Sequence, residues 1–227
     1  MIAVFVNTGT VIFGSLLGLL FRKGIPEKIL NALLSAIGLA TVAIGIAGLS
    51  ELDNPLLLIL SLAIGSVIGA LLDPEGWLEK LSQKVKSKNR HSDHRITEGI
   101  VTATLLFCVG SMTLTGSLNA GLSGDYTLIF TKSILDLCSS CVLAASLGIG
   151  VLFSAGCLFC IQGALTLLAG LLAPFLTECA GALSACGAVL TVAIGLNLIG
   201  VTKFKVANML PSLFLVPLLF RLFQLFV

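Results

Sequence analysis

Runs of about twenty apolar residues, separated by short polar segments, repeat along most of this chain. The first run extends from Ile2 to Phe21 without a charged residue and stops at Arg22. An α-helix needs about 20 apolar residues to cross the hydrocarbon core of a bilayer, and within lipid it satisfies its own backbone hydrogen bonds. These runs restrict the chain to an all-α, polytopic membrane helix bundle.

The charge content excludes a water-soluble domain. Only 11% of the 227 residues are charged and 57% are apolar, whereas about a quarter of a typical soluble domain is charged. The sequence contains no P-loop, dinucleotide fingerprint, nucleophile elbow or zincin helix. We therefore expect the lipid bilayer as a partner, no nucleic acid and no cofactor.

The apolar runs predict eight membrane spans in a single domain covering residues 1–227. Pro211 and Pro217 are expected to kink the last span. Between the third and fourth spans lies a basic loop, residues 74–98, in which Trp77 to Val85 could form a surface helix. The predicted spans are 2–21, 29–49, 56–72, 100–118, 128–152, 156–174, 181–199 and 207–227.

The positions of the cations predict the orientation. Lys and Arg residues concentrate in cytoplasmic loops of membrane proteins. With eight consecutive crossings, eleven of the thirteen Lys and Arg residues fall on one side. This arrangement predicts a cytoplasmic basic loop 74–98 and both termini outside. Lys132 and Arg221 are the two remaining cations.

Two apolar spans contain similar sequences. Residues 34–38 (LSAIG) resemble 183–187 (LSACG), and 41–45 (TVAIG) recur as 191–195, with one inserted residue. If the similarity reflects duplication, residues 1–73 correspond to 155–227, with central spans in 99–154. The shift of five spans is odd, so the two copies would form an inverted repeat, as in many transporters. A chance match between low-complexity helices is the alternative.

Lys132 and Asp136 are the strongest candidates for a functional site. They are four residues apart in the fifth span, and hence lie on one helical face together with the neighbouring Ser133. Ionisable groups within a bilayer are costly and almost always face the bundle interior or a wet cavity. The pair is therefore interpreted as a substrate or ion site. The alternative is a static ion pair in which Lys132 extends toward the membrane surface.

The fourth span and its glycine-rich exit form a second candidate region. Hydroxyl side chains alternate at 111, 113, 115 and 117, which does not fit one face of a regular helix. This pattern predicts a broken or unwound segment lining a cavity, with Thr115, Asn119 and Asp125 along the pathway. An ordinary outer loop is the alternative. Asn7 and Asn208 are further pathway candidates, although lone amides often join helices instead.

The seven cysteines are interpreted as packing residues rather than metal ligands. Two CxxC pairs, 138/141 and 157/160, lie at membrane depth, where a thiolate would be costly. We therefore predict no metal site. The small-xxx-small patterns Gly14–Gly18 and Gly65–Gly69 predict close helix packing, within the chain or in a homo-oligomer.

The chain resembles a known family of membrane proteins. The Asn7-Thr8-Gly9 start, the segment Lys132-Ser133-Ile134-Leu135-Asp136 and the ending Asn208-Met209-Leu210-Pro211 are similar to the YqgA-like bacterial inner-membrane family, domain of unknown function 554. The resemblance covers essentially the whole chain. It implies an inner-membrane location and a transport role, without implying a substrate.

We therefore predict a transporter or channel for a small polar solute or ion, with its pathway near spans four and five. The first alternative is a membrane-embedded enzyme acting on lipid, using Asp136 with Ser139 or Ser140. It lacks a histidine near that site and a recognisable nucleophile arrangement. The second alternative is a non-catalytic scaffold or assembly factor.

Overall fold

A computed structural model of the chain describes residues 1–22, 26–77, 90–108 and 111–224, and in this part the secondary structure is helical throughout. The described part contains ten α-helices, with 3₁₀ turns at Leu49–Glu51 and Val206–Met209. The helices are α1 Ile2–Arg22, α2 Glu27–Gly48, α3 Pro55–Leu72, α4 Arg90–Cys108, α5 Ser111–Leu122, α6 Thr127–Leu147, α7 Gly150–Leu167, α8 Ala169–Leu176, α9 Ala180–Ile199 and α10 Pro211–Gln224.

The predicted helix bundle is confirmed. Seven segments of the described chain are long and apolar enough to cross a membrane, and they include all or most of α1, α2, α3, α6, α7, α9 and α10. An eighth span forms if α4 and α5 are taken together. The two halves, Ile96–Cys108 and Met112–Leu122, meet at an angle of 55°.

The boundary between the fifth and sixth spans lies at Gly148. Gly148 has φ +85°, a conformation that costs glycine little, and the Arg22 guanidinium occupies the space where a Cβ would lie. The predicted fifth span, 128–152, therefore ends earlier than expected, at Leu147, and the predicted sixth span, 156–174, begins earlier, at Gly150.

The last span begins differently from the prediction. Pro211 is the first residue of α10 and follows the 3₁₀ turn, so it starts the helix instead of kinking it. Proline suits this position because the first-turn N–H has no partner within the helix. Pro217 lies inside α10.

The connecting segments gather at two opposite ends of the bundle, which we call the cationic end and the acidic end. At the cationic end, Arg22 lies beside Gly148, and Lys205 is 4.0 Å from Asp73. At the acidic end, Gly181 packs against Glu51 and Asp53, and Glu178 is 3.9 Å from Arg221. This grouping agrees with eight alternating crossings. Apart from Trp77, the predicted surface helix 77–85 lies outside the described residues, as does most of the basic loop.

The small-xxx-small patterns pack against other helices of the same chain. A Cβ at Gly14 would collide with Leu137 and Ser140 of α6, and a Cβ at Gly18 would collide with the Cys141 carbonyl. Gly65 and Gly69 likewise lie against residues 208–212. The close approach of these backbones fixes α1 on α6 and α3 on the last span. Homo-oligomerisation remains a prediction.

Candidate functional site

Lys132 and Asp136 form a buried ion pair on α6. Their side chains are only 7% and 8% exposed, and the ammonium group contacts the carboxylate one helical turn away. The same ammonium lies 5.7 Å from the centre of the Phe107 ring at the end of α4, which is a favourable distance for a cation–π interaction. The pair therefore faces the broken fourth span.

A cavity of about 300 Å³ borders this ion pair, and we call it the acidic-end cavity. It extends from Glu51, near the acidic end, to Phe107 and Thr113 on either side of the break in the fourth span. Its walls come from α2, α4, α5, α6 and α9. Residues in these walls include Gly45, Met112, Lys132, Asp136, Ser139, Ser184, Ala188 and Thr191.

Thr113 connects the two halves of the broken span. Its hydroxyl donates a 2.9 Å hydrogen bond to the carbonyl oxygen of Phe107. The last carbonyls of a helix have no partner within the helix, so this bond satisfies one of them inside the membrane. The bond also holds Phe107, and hence the wall of the acidic-end cavity, in place.

A second polar cluster lies beside the ion pair at the interface of α1 and α7. The Asn7 amide donates to the Gln162 side-chain oxygen over 3.1 Å, and Asn7 also lies beside the Asp136 carboxylate. Both amides are fully buried, yet the Asn7 oxygen and the Gln162 nitrogen have no protein partner. Unpaired polar atoms are costly in a dry interior, so this cluster is suited to hold water or a small polar ligand.

A larger cavity of about 410 Å³ reaches inward from the other end, and we call it the cationic-end cavity. It is bordered by α4 and α9 and by the segments that follow α3 and α9. Its polar lining residues are Glu75, Thr97, Glu98, Thr102, Asn197, Thr202, Lys203 and Lys205.

The two cavities approach each other along the same two helices. On α4 the cationic-end cavity reaches Thr102 and the acidic-end cavity reaches Leu106. On α9 the corresponding residues are Ile194 and Thr191. At 1.5 Å per residue, these residues are separated by about 6 Å and about 4.5 Å along the helix axes. About one helical turn therefore separates the cavities.

The structure brings together some of the predicted site residues and not others. Lys132, Asp136 and Asn7 are adjacent, and Ser133 is buried on the same helix, where it donates to the Ile129 carbonyl. Asn208 lies at the cationic end, where it bonds to Asp73 and to the Glu75 N–H.

The remaining predicted residues lie on α5 or beyond its end. The hydroxyls at 111–117 belong to a regular helix, so the predicted unwinding is wrong there, and the break precedes residue 111. Thr115 is exposed, and Asn119 lies in the helix, which continues to Leu122. Asp125 is exposed and bonds to Thr127, whose side chain and N–H hold the pKa of this carboxyl below its usual value.

Sequence reasoning missed Glu51 and Thr191 in the lining of the acidic-end cavity, and it named Thr113 only as part of the hydroxyl pattern of the fourth span. Glu51 follows α2, and Thr113 and Thr191 come from α5 and α9, so only tertiary packing brings them near Asp136. Thr191 could have been singled out from the sequence, because it lies in the repeated TVAIG sequence. The described residues contain no group of three or more His, Cys, Asp and Glu residues that could hold a metal ion.

Sequence comparisons assign the chain to a protein family. Residues 2–221 match the family described as "Protein of unknown function (DUF554)". The chain is 37% identical over 216 residues to the "Uncharacterized membrane protein YdfK" of Bacillus subtilis (strain 168), covering 93% of this chain and 92% of the relative. It is 33% identical over 220 residues to the "Uncharacterized protein YqgA" of Escherichia coli (strain K12), covering 94% of each. No solved structure matches. The chain is thus a membrane protein that belongs to the DUF554 family.

Proposed function

We propose that this protein is a transporter or channel for a small polar solute or ion, and that the solute passes through the two cavities. The observation that carries the proposal is their arrangement. One cavity with charged and hydroxyl side chains in its lining lies toward each end of the bundle, both are lined by α4 and α9, and about one turn of helix separates them.

The barrier between the cavities consists of packed apolar side chains. Ala103 and Leu105 of α4 and Ala193 of α9, which lie between the parts of these helices that line the two cavities, belong to one buried cluster. A barrier this short can be opened by a small movement of either helix. The closed barrier favours a gated pathway over a permanently open pore.

The ion pair supplies the polar centre of the proposed pathway. Lys132 and Asp136 lie in the wall of the acidic-end cavity, where each charge compensates the other. Intramembrane charges mark substrate and ion pathways in many membrane proteins. A purely structural ion pair would not need a cavity beside it.

The inverted repeat is part of this proposal, and contacts between α2 and α9 support it. A Cβ added at Gly45 would lie 2.6 Å from Val192 Cγ2 and 2.9 Å from the Ala188 carbonyl oxygen. A Cβ added at Gly195 would lie 2.6 Å from Val42 Cγ2 and 2.7 Å from the Gly38 carbonyl oxygen. The two sets of contacts are nearly the same.

The residues in these contacts are related by one fixed shift. Residues 38, 42 and 45 correspond to 188, 192 and 195, each 150 positions later. Here a residue of one copy contacts the counterpart of a second residue, and that second residue contacts the counterpart of the first. Reciprocal contacts of this kind are those of two copies related by a two-fold axis. The contacts follow this shift without the inserted residue of the sequence alignment, so Gly38 corresponds to Ala188 rather than Gly187.

The other repeated spans also meet their counterparts. Asn7 of α1 bonds to Gln162 of α7, and Gly65 of α3 packs on Ser212 of α10. Within α2 and α9, rising residue numbers on one helix meet falling numbers on the other, so the helices are antiparallel, as an inverted repeat requires. Two inverted copies can exchange conformations, which would alternately open each cavity.

The proposal includes an orientation. Arg22, Lys203 and Lys205 lie at the cationic end, which we place in the cytoplasm by the positive-inside rule. Both termini would then face outward from a bacterial inner membrane.

Flux measurements in proteoliposomes test the proposed function. The purified full-length chain would be exposed to gradients of Na⁺, K⁺, Cl⁻ and H⁺, and to labelled glycine, L-alanine, propionate and ethylamine. We expect protein-dependent flux of at least one probe, and a loss of at least tenfold in Asp136→Asn. Asp53→Asn, an exposed carboxylate at the acidic end, serves as the control and should retain flux. Absence of flux for every probe, or full flux in Asp136→Asn, would contradict the proposal.

A further inference from the structure

We infer that the solute is a small zwitterion, a molecule of amino-acid type with one cationic and one anionic group. This inference rests on the proposed function and specifies its substrate class. It starts from a buried ion pair that borders the acidic-end cavity, Lys132 and Asp136.

The electrostatics of a buried pair favour a partner with both charges. Removing one member of a buried ion pair leaves an uncompensated charge in a medium of low dielectric constant, which is strongly unfavourable. An anion bound to Lys132 would leave Asp136 without its partner, and a cation bound to Asp136 would do the same to Lys132. A zwitterion can contact both residues at once, and every charge then remains compensated.

Both cavities carry charges of both signs. The acidic-end cavity contains Glu51, Asp136 and Lys132, and the cationic-end cavity contains Glu75, Glu98, Lys203 and Lys205. A solute with a single charge would meet a like-charged group in each cavity. In the acidic-end cavity a zwitterion would find Lys132 for its anionic group and Asp136 or Glu51 for its cationic group.

The size of the cavity is compatible with a small solute. The acidic-end cavity has a volume of about 300 Å³, which leaves room for a small organic molecule. Hydroxyl groups of Thr113, Ser139 and Thr191 in its wall could bind polar parts of the solute. The cavity therefore has room for a small zwitterion of amino-acid type.

Binding measurements on the full-length protein in detergent test the charge requirement. Titration calorimetry and thermal shift would compare glycine, L-alanine, L-serine, β-alanine and glycine betaine with propionate, ethylamine and glycerol. L-alanine and propionate differ only by the ammonium group, and ethylamine lacks the carboxylate. We expect at least one zwitterion to bind ten or more times more tightly than all three comparison solutes.

A double variant tests the site without leaving a lone buried charge. Replacement of a buried ion pair by apolar residues is often neutral or stabilising, so K132M/D136L should fold. We expect it to lose zwitterion binding by at least tenfold. The matched control is R221M/E178L, which removes an exposed ion pair outside both cavities and should bind normally.

Several results would overturn the inference. These are binding of propionate, ethylamine or glycerol as tight as that of the best zwitterion, unchanged binding in K132M/D136L, or no binding of any zwitterion. The proteoliposome measurement separates this failure from failure of the proposed function. If the protein carries an inorganic ion in a flux that Asp136→Asn abolishes, but binds no zwitterion, the proposed transport function stands and only the zwitterion as its solute is rejected.

Discussion

Gly45 and Gly195 pack into each other's helices in the same way. Gly45 of α2 lies against Val192, and Gly195 of α9 lies against Val42, so each glycine meets the valine that precedes the other by three residues. Small residues at such positions let two helix backbones approach closely. The reciprocity supports a duplication more strongly than the sequence match, because it relates contacts rather than residue types.

This reciprocity predicts that Gly45→Ala and Gly195→Ala have similar effects on stability. Each added methyl group would overlap a valine side chain, and overpacking of this kind costs about 1–3 kcal/mol. Thermal unfolding in detergent should show a lower Tm for both variants. Gly156→Ala, where the added Cβ has no neighbour within 4 Å, should be neutral or slightly stabilising.

The same variants offer a rescue. Val42→Ala removes the side chain that Gly195→Ala would strike, so the double variant V42A/G195A should regain part of the lost stability. V192A/G45A should behave in the same manner. A large loss at one glycine with none at the other would argue against the two-fold relationship.

How much was predictable from the sequence depends on the kind of interaction. The spans follow from apolar length alone, and Lys132 and Asp136 share a face because of helical spacing. Thr113 and Thr115 illustrate the limit. Two residues apart on a helix, they point in nearly opposite directions, so Thr113 is buried against Phe107 while Thr115 is exposed. The alternation of hydroxyls indicated that the fourth span is broken, but it did not indicate that the break lies before residue 111.

The contribution of Glu51 could not be read from the sequence for another reason. It lies beyond the end of α2, and it reaches the cavity of Asp136 only because α2 packs beside α9. Asp125, by contrast, makes a local contact, because it accepts from the N–H of Thr127 two residues later at the start of α6. The position of Glu51 depends on how the helices are arranged, and proximity along the chain gave no guide to it.

The hydrogen bond across the broken span predicts different effects for Thr113 and Thr115. Thr113→Val keeps the side-chain shape but removes the donor to the Phe107 carbonyl, which should cost about 1 kcal/mol. Because Phe107 borders the acidic-end cavity, flux in proteoliposomes should also change. Thr115→Val, on the exposed face of the same helix, should leave both Tm and flux unchanged. Equal behaviour of the two variants would contradict this role of Thr113.

The apolar barrier predicts a leak when it is made polar. Leu105 is 1% exposed and lies on α4 between the parts that line the two cavities. Leu105→Ser should allow water to enter, and proteoliposomes should then dissipate an ion gradient faster than with the wild type. The control is Leu71→Ser, because Leu71 is 82% exposed at the periphery of the bundle. A folded Leu105→Ser protein that stays as tight as the wild type would show that the pathway lies elsewhere.

The grouping of charges predicts the location of the C-terminus. Arg221 of α10 lies 3.9 Å from Glu178 at the acidic end, which the positive-inside rule places outside the cytoplasm. Alkaline phosphatase fused after Val227 should therefore be active in bacterial cells, whereas a fusion in the basic loop after Lys88 should be inactive. The reverse pattern of activities would show that the orientation is opposite to the one proposed. Equal activity of the two fusions would contradict the eight-span crossing order.

The buried amides predict an energetic coupling between α1 and α7. Asn7→Leu leaves the Gln162 side chain without its hydrogen-bond partner, and Gln162→Leu does the same to Asn7. Each variant should lower stability, and the double variant N7L/Q162L should lose less than the sum of the two. Hydrogen bonds between membrane helices have measured couplings near 0.6 kcal/mol and up to about 1.7 kcal/mol. A double-mutant cycle of unfolding free energies in detergent measures this coupling. Because Asn7 also lies beside Asp136, Asn7→Leu should reduce flux more than Gln162→Leu does, and the opposite order would place the functional contact on α7.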